Sequence, residues 1–522
     1  MKNITLLKAK VGILAVSCLS ITTLFACVDK DARSDLSPNL PTDQAQNGDF
    51  GDQGGGSDQG LNFPVFDDGV LAFPGAEGYG KNVTGARAGE GREIYHVTNL
   101  NDAGPGSFRD AVSKPWRIIV FDVSGVIKLS KDPVVLKSNQ TILGHTAPGD
   151  GIVLYNGRVS ASGAQNLIVR YLRIRMGAAY PSDQVDACGV ANGADMIFDH
   201  CSMTWGRDEC FSINPDGKGT APKNITIQNS IIGQGLQNHS CGGLMQTDIS
   251  NGCTIFRNLY IDNKTRNPKV KGLNQFVNNV VYNWGSGAAY NMGGDSSGKS
   301  ETTIENNYFI VGPCNNWQNV EIAPKVYEAQ QVPMNPARPF TGGNSDFRSY
   351  CKGNYYDYDK DGALNGIEIT EVNWSQYCSG SPTLLEARSD LHPIIRSQKS
   401  AQEAYEWVVE KVGAYLPVRD EVDKYLIDEL TSLGGKGTII QDERKTEQFP
   451  LGGPGTINAA QKPLDSDNDG MPDAFEDAWG LDKYDPTDAV KEAKNGYLNI
   501  ENYALSLEYP DEYEYELNKN KQ

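Results

Sequence analysis

Three residues whose chemistry could cooperate recur at matched places along this chain. Asp208 and Arg266 each fall eight residues past the second polar residue of a repeating strand segment, and His239 falls nine past the intervening one. The segments are MIFDHCSM (196–203), ITIQNSII (225–232), TIFRNLYI (254–261) and QFVNNVVY (275–282), with TIENNYFI (303–310) continuing the series. Their second polar residues are His200, Ser230, Asn258, Asn279 and Asn307. A carboxylate, an imidazole and a guanidinium brought to one face could bind a charged substrate and move a proton. That convergence requires the segments to stack.

Stacking is what the repeat predicts. β-rich units at irregular spacings of about 20 to 30 residues read as a parallel β-solenoid. Its turns lie roughly 4.8 Å apart, so Asp208 and Arg266, two turns apart, are expected on the order of 10 Å from each other. The polar residues at matching positions predict an asparagine-type ladder, in which Asp199 and His200 are structural members. Residues 107–112 predict a short helix capping the first turn, and RIIVFDV, VVLKS and NLIVRYLRI predict strands. Beyond residue 313 the pattern loosens into long loops. At 400–412 the periodicity becomes helical: Ser400 and Glu403 form a capping box, Tyr405, Val408, Val409 and Val412 share a face, and Gly413 is the stop. A second helix is expected at about 421–433.

The 522 residues carry a net charge of −19, which argues against a nucleic-acid partner because a phosphate backbone needs a basic surface. An acidic protein can still hold an acidic polymer if divalent ions bridge the two. At the N-terminus, Lys2, Lys8 and Lys10 precede an apolar run from Val11 to Leu19, and Cys27 follows Leu24-Phe25-Ala26. This reads as a signal peptide (1–26) ending in a bacterial lipobox, with Cys27 lipidated and the protein an exported outer-membrane lipoprotein of a Gram-negative bacterium. No later stretch reaches the roughly 18 to 20 apolar residues of a membrane span. Residues 27–65, rich in Asp, Gly, Gln, Ser and Pro, read as a disordered tether. The expected parts are then a coil (66–395), packed helices (396–450) and a C-terminal segment (451–522). Outside the leader and Cys27, eight cysteines remain, an even number that favours disulfides in an exported chain, although eight allow 105 pairings.

In DSDNDGMPDAFE (465–476), Asp465, Asp467, Asp469, Gly470, Asp473 and Glu476 occupy loop positions 1, 3, 5, 6, 9 and 12 of the EF-hand calcium pattern. Five acidic side chains on twelve residues repel one another unless a cation neutralises them. The following GYLNIENYAL resembles half of a dockerin-like or thrombospondin-type repeat without its upstream acids. DYDKDGALNGIE (357–368) fits the pattern formally but lies between strand-like flanks, and reads as an acidic solenoid loop.

AFPGAEGYG, NLNDAGPGSFRDAV, TILGHTAPGDGI, the Asp199-His200-Cys201 segment and Arg266-Asn267-Pro268-Lys269-Val270-Lys271, in this order, resemble the pectate lyases of polysaccharide lyase family 1. The resemblance runs from about residue 70 to 310. It implies an all-β fold, a right-handed parallel β-helix, and calcium-dependent β-elimination of α-1,4-polygalacturonate by a monomer. It also implies that Arg266 is the base, that Asp186, Asp208 and Glu209 hold Ca2+, and that Lys271, with Lys269 ranked lower, contacts substrate. Three positions depart from the family pattern. Lys271 stands where a second arginine is usual, Ser212 where a further aspartate is usual, and the turn of His239 lacks the usual lysine, so His239 is expected to bind substrate in its place. Rival readings are a pectin lyase, a hydrolase needing a catalytic carboxylate pair, and a non-catalytic calcium-dependent polyuronate-binding surface lipoprotein.

Overall fold

The computed structural model describes residue 61 and residues 69–285, 288–293, 299–314, 317–331 and 338–519. The expected leader and Cys27 lie outside the described residues, as does nearly all of the expected tether. Within that tether Leu61 is fully buried, its N–H donating to Asn502 Oδ1 at 3.1 Å.

The chain winds into a right-handed parallel β-helix. Each turn contributes one strand to each of three sheets, which contain 11, 10 and 8 strands. One turn runs through Gly193–Asp199, Ser202–Thr204 and Phe211–Ile213, and the next through Lys223–Gln228, Ile231–Gly233 and Leu244–Gln246. Gly252–Phe256, Leu259–Ile261 and Lys269–Lys271 follow. In the first sheet, Ile119, Ile142, Val169, Phe198, Ile227, Ile255, Phe276 and Ile304 lie in register as one inward column. All are buried in a core running the length of the coil. Alternate residues face out and are covered in turn, so that polar members such as Thr226, Thr254 and Gln275 are fully buried as well.

The corner between first and second sheets is a single residue in the left-handed conformation. Tyr171, His200, Asn229, Arg257, Asn278 and Asn306 all have φ between +50° and +57°, a region in which asparagine is at home. The ladder runs through the next position. Asn258 Oδ1 accepts from Ser230 N, Asn279 Oδ1 from Asn258 N, and Asn307 Oδ1 from Asn279 N, at 2.8–2.9 Å. Ser230 Oγ accepts from Cys201 N. The ladder member of that turn is therefore Cys201, and the expected roles of His200 and Asp199 are corrected. His200 is the corner: it stacks on Tyr171, with ring centroids 4.8 Å apart, and donates through Nδ1 to the Gly413 carbonyl. Asp199 pairs with Arg170 and accepts from Gln228 and Asn229. Asparagine occurs both at the corner (Asn229, Asn278, Asn306) and just past it (Asn258, Asn279, Asn307), which makes the two positions look alike in sequence.

The disulfide expectation is also corrected. All eight described cysteines are free thiols, most of them facing the coil core, where they pack as small apolar groups. Cys210 donates to the Gly233 carbonyl and Cys253 to Asn274 Oδ1. In the 357–368 loop, Asp361 accepts from Ala363 N and Asn365 Nδ2, so the turn closes on itself.

Ser107 caps the short helix Phe108–Ala111. The capping box of Ser400 and Glu403 starts Ala401–Lys411, and Asp420 caps Glu421–Thr431. Gly413, with φ +77°, turns the chain between them where a side chain would strike Ser202 and Asp423. Both helices bury their apolar faces on the outer side of the second sheet. Arg175 anchors them through Asp420 (2.7 Å) and Asp423 (2.9 Å), all three fully buried. Residues 471–505 cover the outer side of the first sheet through Met471, Phe475, Tyr497, Ile500 and Leu505.

Asn258→Ala strips the buried Ser230 N–H of its acceptor, and leaving such a group unpaired costs about 1–3 kcal/mol. Chemical denaturation is expected to register that loss with no change in the near-neutral spectrum of the folded state. An unchanged midpoint would show that the ladder is ornamental.

Candidate functional site

Four consecutive turns project short loops from the corner between second and third sheets. Ala187 N donates to the Glu209 carbonyl, Cys241 N to the Asp208 carbonyl, and Gly242 N to the Thr265 carbonyl. Glu209, Cys241 and Thr265 are thereby aligned in parallel bridges. The alignment lifts Asp186, Asp208, Glu209, His239 and Arg266 onto one face.

Their charged ends are closer than the backbone spacing. Arg266 bonds Glu209 directly through Nη1, which also stands 3.6 Å from Asp208 Oδ1. His239 Nδ1 lies 4.0 Å from the same oxygen and donates to the Asp183 carbonyl at 2.8 Å. The expected separation of about 10 Å describes two rungs of backbone; the arginine side chain spans the intervening rung. Arg266 itself has φ +58°, a left-handed conformation that costs an arginine on the order of 1–3 kcal/mol and that Arg257 also adopts, at an ordinary corner of the coil.

The carboxylates face one another. Asp186 Oδ1 accepts from Glu209 N at 3.3 Å. Burial, with Asp186 beside it, pushes the Glu209 carboxyl up to about 9, and Arg266 only partly offsets the rise. Burial raises Asp186 as well, opposed by its bond to Glu209 and by the nearby Arg158. Burial alone would lower Arg266, but Cys241, Glu209 and Asp208 outweigh it and hold the guanidinium above its ordinary value. Asp208 Oδ1 is buried and accepts no hydrogen bond. Carboxylate oxygens of Asp208 and Glu209 lie within 4.8 Å of each other, with Asp186 beside Glu209 but outside that group, and oxygen donors of this kind suit a hard divalent cation such as calcium. Cys241 Sγ lies within the same cluster, but burial keeps it a thiol, a poor partner for such an ion.

Lys269 and Lys271 flank the inward Val270 on their strand, so both stand half-buried on the outer side of the third sheet. Ser212, in register with Gly189, is spent on Leu244 N. Two further residues join the site. Arg158 acts on Asp186 from the preceding turn. Lys264 reaches back to Gln237 Oε1 and the Asn238 carbonyl, putting a cation on the turn of His239. Burial, reinforced by Arg266, lowers it to about 8. Its place two residues before Arg266 was the only sequence signal for it. A separate hollow of about 490 Å3, lined by Glu301, Arg348 and residues 385–391, opens elsewhere, beside the first sheet.

The C-terminal acidic residues do not all converge. Carboxylate oxygens of Asp465, Asp467 and Asp469 lie within 4.8 Å of one another, as do those of Asp469, Glu476 and Asp488. Asp473 is turned away: it accepts from Ser466 N and Ser466 Oγ at 2.7 and 2.8 Å, and the expectation that it is a ligand is corrected. Asp488, outside the twelve-residue pattern, joins the group instead. Burial and the surrounding carboxylates push Glu476 up to about 8.

A raised carboxyl makes the folded state hold its proton longer than the unfolded chain does, so stability falls as pH rises from 4.5 through about 9 at Glu209. In chelator, Glu209→Gln is expected to flatten that decline in thermal unfolding followed between pH 5 and pH 9. Parallel declines in variant and parent would refute the assignment.

A family profile described as pectate lyase matches residues 74–329. A "Probable pectate lyase C" of Aspergillus fumigatus is 48% identical over 438 residues, covering 84% of this chain and 94% of the relative. Relatives of the same description from Aspergillus terreus (49% over 438 residues, 84% and 94%) and Aspergillus flavus (47% over 447 residues, 86% and 96%) are similar throughout. Among solved structures, jun a 1, the major allergen from cedar pollen, is 18% identical with a TM-score of 0.42, covering 64% of this chain and 92% of that one. The expected location in the outer membrane of a Gram-negative bacterium is corrected by these relatives, which are fungal and come from cells without such a membrane.

Proposed function

Because the chain belongs to the pectate lyase family, we propose that it cleaves polygalacturonate with Arg266 as the base and with calcium held by Asp186, Asp208 and Glu209. The single observation that carries this reading is the meeting of Arg266 with Asp208 and Glu209 across stacked turns. Binding through calcium bridges alone would not require a guanidinium set against those carboxylates.

In β-elimination the base takes the proton from C5 of a uronate, the C–H electron pair becomes the C4–C5 double bond, and the C4–O bond breaks toward the departing chain. Calcium, when bound, would act as a Lewis acid on the uronate carboxylate and make that proton easier to remove. Arg266 would stand at the proton. An arginine held charged by carboxylates is a poor base near neutrality, so the reading assigns turnover to alkaline conditions. Lys271 and Lys269, on the outer side of the adjoining strand, would attract further uronates. Lys271 keeps the charge of an arginine without its two-pronged geometry. His239, steadied by the Asp183 carbonyl, and Lys264, set on the same turn, are placed to meet the substrate or the leaving oxygen.

Ultraviolet absorbance of the unsaturated product, followed with polygalacturonate and calcium, tests the assignment. Arg266→Ala is expected to lower turnover by roughly 10^2- to 10^4-fold, the usual worth of a general base, with thermal unfolding unchanged. Chelator should abolish the signal in the parent, and the rate should climb toward alkaline pH. Full activity in Arg266→Ala would remove it as the base.

A further inference from the structure

A second group of acidic residues, distinct from the cluster at Arg266, lies in the C-terminal segment. Glu476 is fully buried, and neither of its carboxylate oxygens has a hydrogen-bond partner. Asp467 Oδ2, Asp469 Oδ2 and Asp488 Oδ1 are likewise buried without partners. Glu476 lies within 4.8 Å of Asp469 and Asp488, measured between carboxylate oxygens. The remaining oxygens are occupied in holding the loop: Asp465 accepts from Asp469 N and Gly470 N, Asp469 Oδ1 from Met471 N, and Asp488 Oδ2 from Asp482 N. Gly470 takes φ +94° to make the sharp turn. Lys462, 3.6 Å from Asp465, is a counter-charge at the rim, and Lys491 also acts on Asp488. Buried carboxylates are normally paired or bound to metal. Here five unsatisfied oxygens from two separated stretches of chain belong to two overlapping groups that share Asp469.

We propose that Asp465, Asp467, Asp469, Glu476 and Asp488 bind one calcium ion, and that this ion locks the C-terminal segment over the first sheet. An all-oxygen, multi-carboxylate set suits calcium, whereas magnesium keeps several waters and demands a stricter octahedron. The ion would tie the 465–476 loop to the 482–488 loop. Between them the helix Asp473–Trp479 carries Phe475 and Trp479 into the cluster that covers the sheet. The following helix, Asn499–Glu508, is the one that docks the segment: Glu501 pairs with Arg87, Glu508 with Arg170, and the Ala504 carbonyl accepts from His145 Nε2. This surface is the outer side of the first sheet, whereas Arg266 sits at the edge of the third. Loss of the ion should therefore loosen the cover and spare the reaction.

The test uses the full chain, stripped with chelator and titrated with calcium or magnesium, with bound metal counted by equilibrium dialysis and unfolding followed by calorimetry. Calcium is expected to raise the unfolding temperature by a few degrees, and magnesium much less. The E476Q/D488N double variant should lose one tightly bound calcium per chain and the thermal gain. It should keep its turnover of polygalacturonate in excess calcium at moderate temperature. Asp208→Asn should retain both the tight ion and the gain. Should the double variant fail to fold, Asp488→Asn alone carries the same comparison. Identical unfolding of the parent in calcium and in chelator would overturn the proposal, as would an E476Q/D488N chain that still binds the tight ion. Loss of that ion in Asp208→Asn would place it in the other cluster and overturn the proposal too.

Discussion

Everything in this molecule depends on register between neighbouring turns. A side-chain amide just past each corner bonds the backbone of the turn before it, from Asn354 through Asn307, Asn279 and Asn258 to Ser230. The corner residue itself adopts the left-handed conformation in turn after turn. These bonds are fully buried, so a slip of one residue would leave amide groups unpaired and turn the apolar columns outward. With register held, loops of 20 to 30 residues' separation meet within a few ångströms, and the site exists because of it.

The coil also solves a charge problem in two ways. On the face carrying Arg266, carboxylates from two turns are set against a guanidinium from a third, so the cluster has an internal counter-charge and an oxygen to spare. On the C-terminal loop, five acids are gathered with Lys462 beside Asp465 and Lys491 acting on Asp488. Like charges buried together are unfavourable unless a cation or a proton is shared between them. The first arrangement suits a site that must admit an anionic sugar; the second suits permanent occupation.

The motifs that carry the family resemblance are mostly architecture. In AFPGAEGYG, Glu77 accepts from Ser397 and Arg396, and Gly80 N and Tyr79 N donate to the threonines of successive rungs. In TILGHTAPGDGI, His145 receives the C-terminal helix, and in the Asp199 segment the carboxylate steadies Arg170. Of the quoted stretches, only the one beginning at Arg266 reaches the charged cluster. The repeat, its corners and the capped helices were legible because each rests on local rules: period, cap residue, left-handed preference. Lys264 and Arg158 were not legible, since nothing in the spacing says which way a loop side chain leans.

By itself the sequence determined the coil, its outward-facing loops and the two helices on its flank, because those follow from periodicity and side-chain chemistry, while the roles expected of Asp186, Glu209 and Arg266 came only with the family resemblance. Only the tertiary structure decided that Cys201 rather than His200 belongs to the ladder, that the thiols stay unpaired, and that Asp488 takes the place expected of Asp473. The reason is common to all three. A ladder partner, a sulfur partner and a ligand are each chosen by distances across turns or loops, and those distances are set by packing that no single stretch of chain encodes.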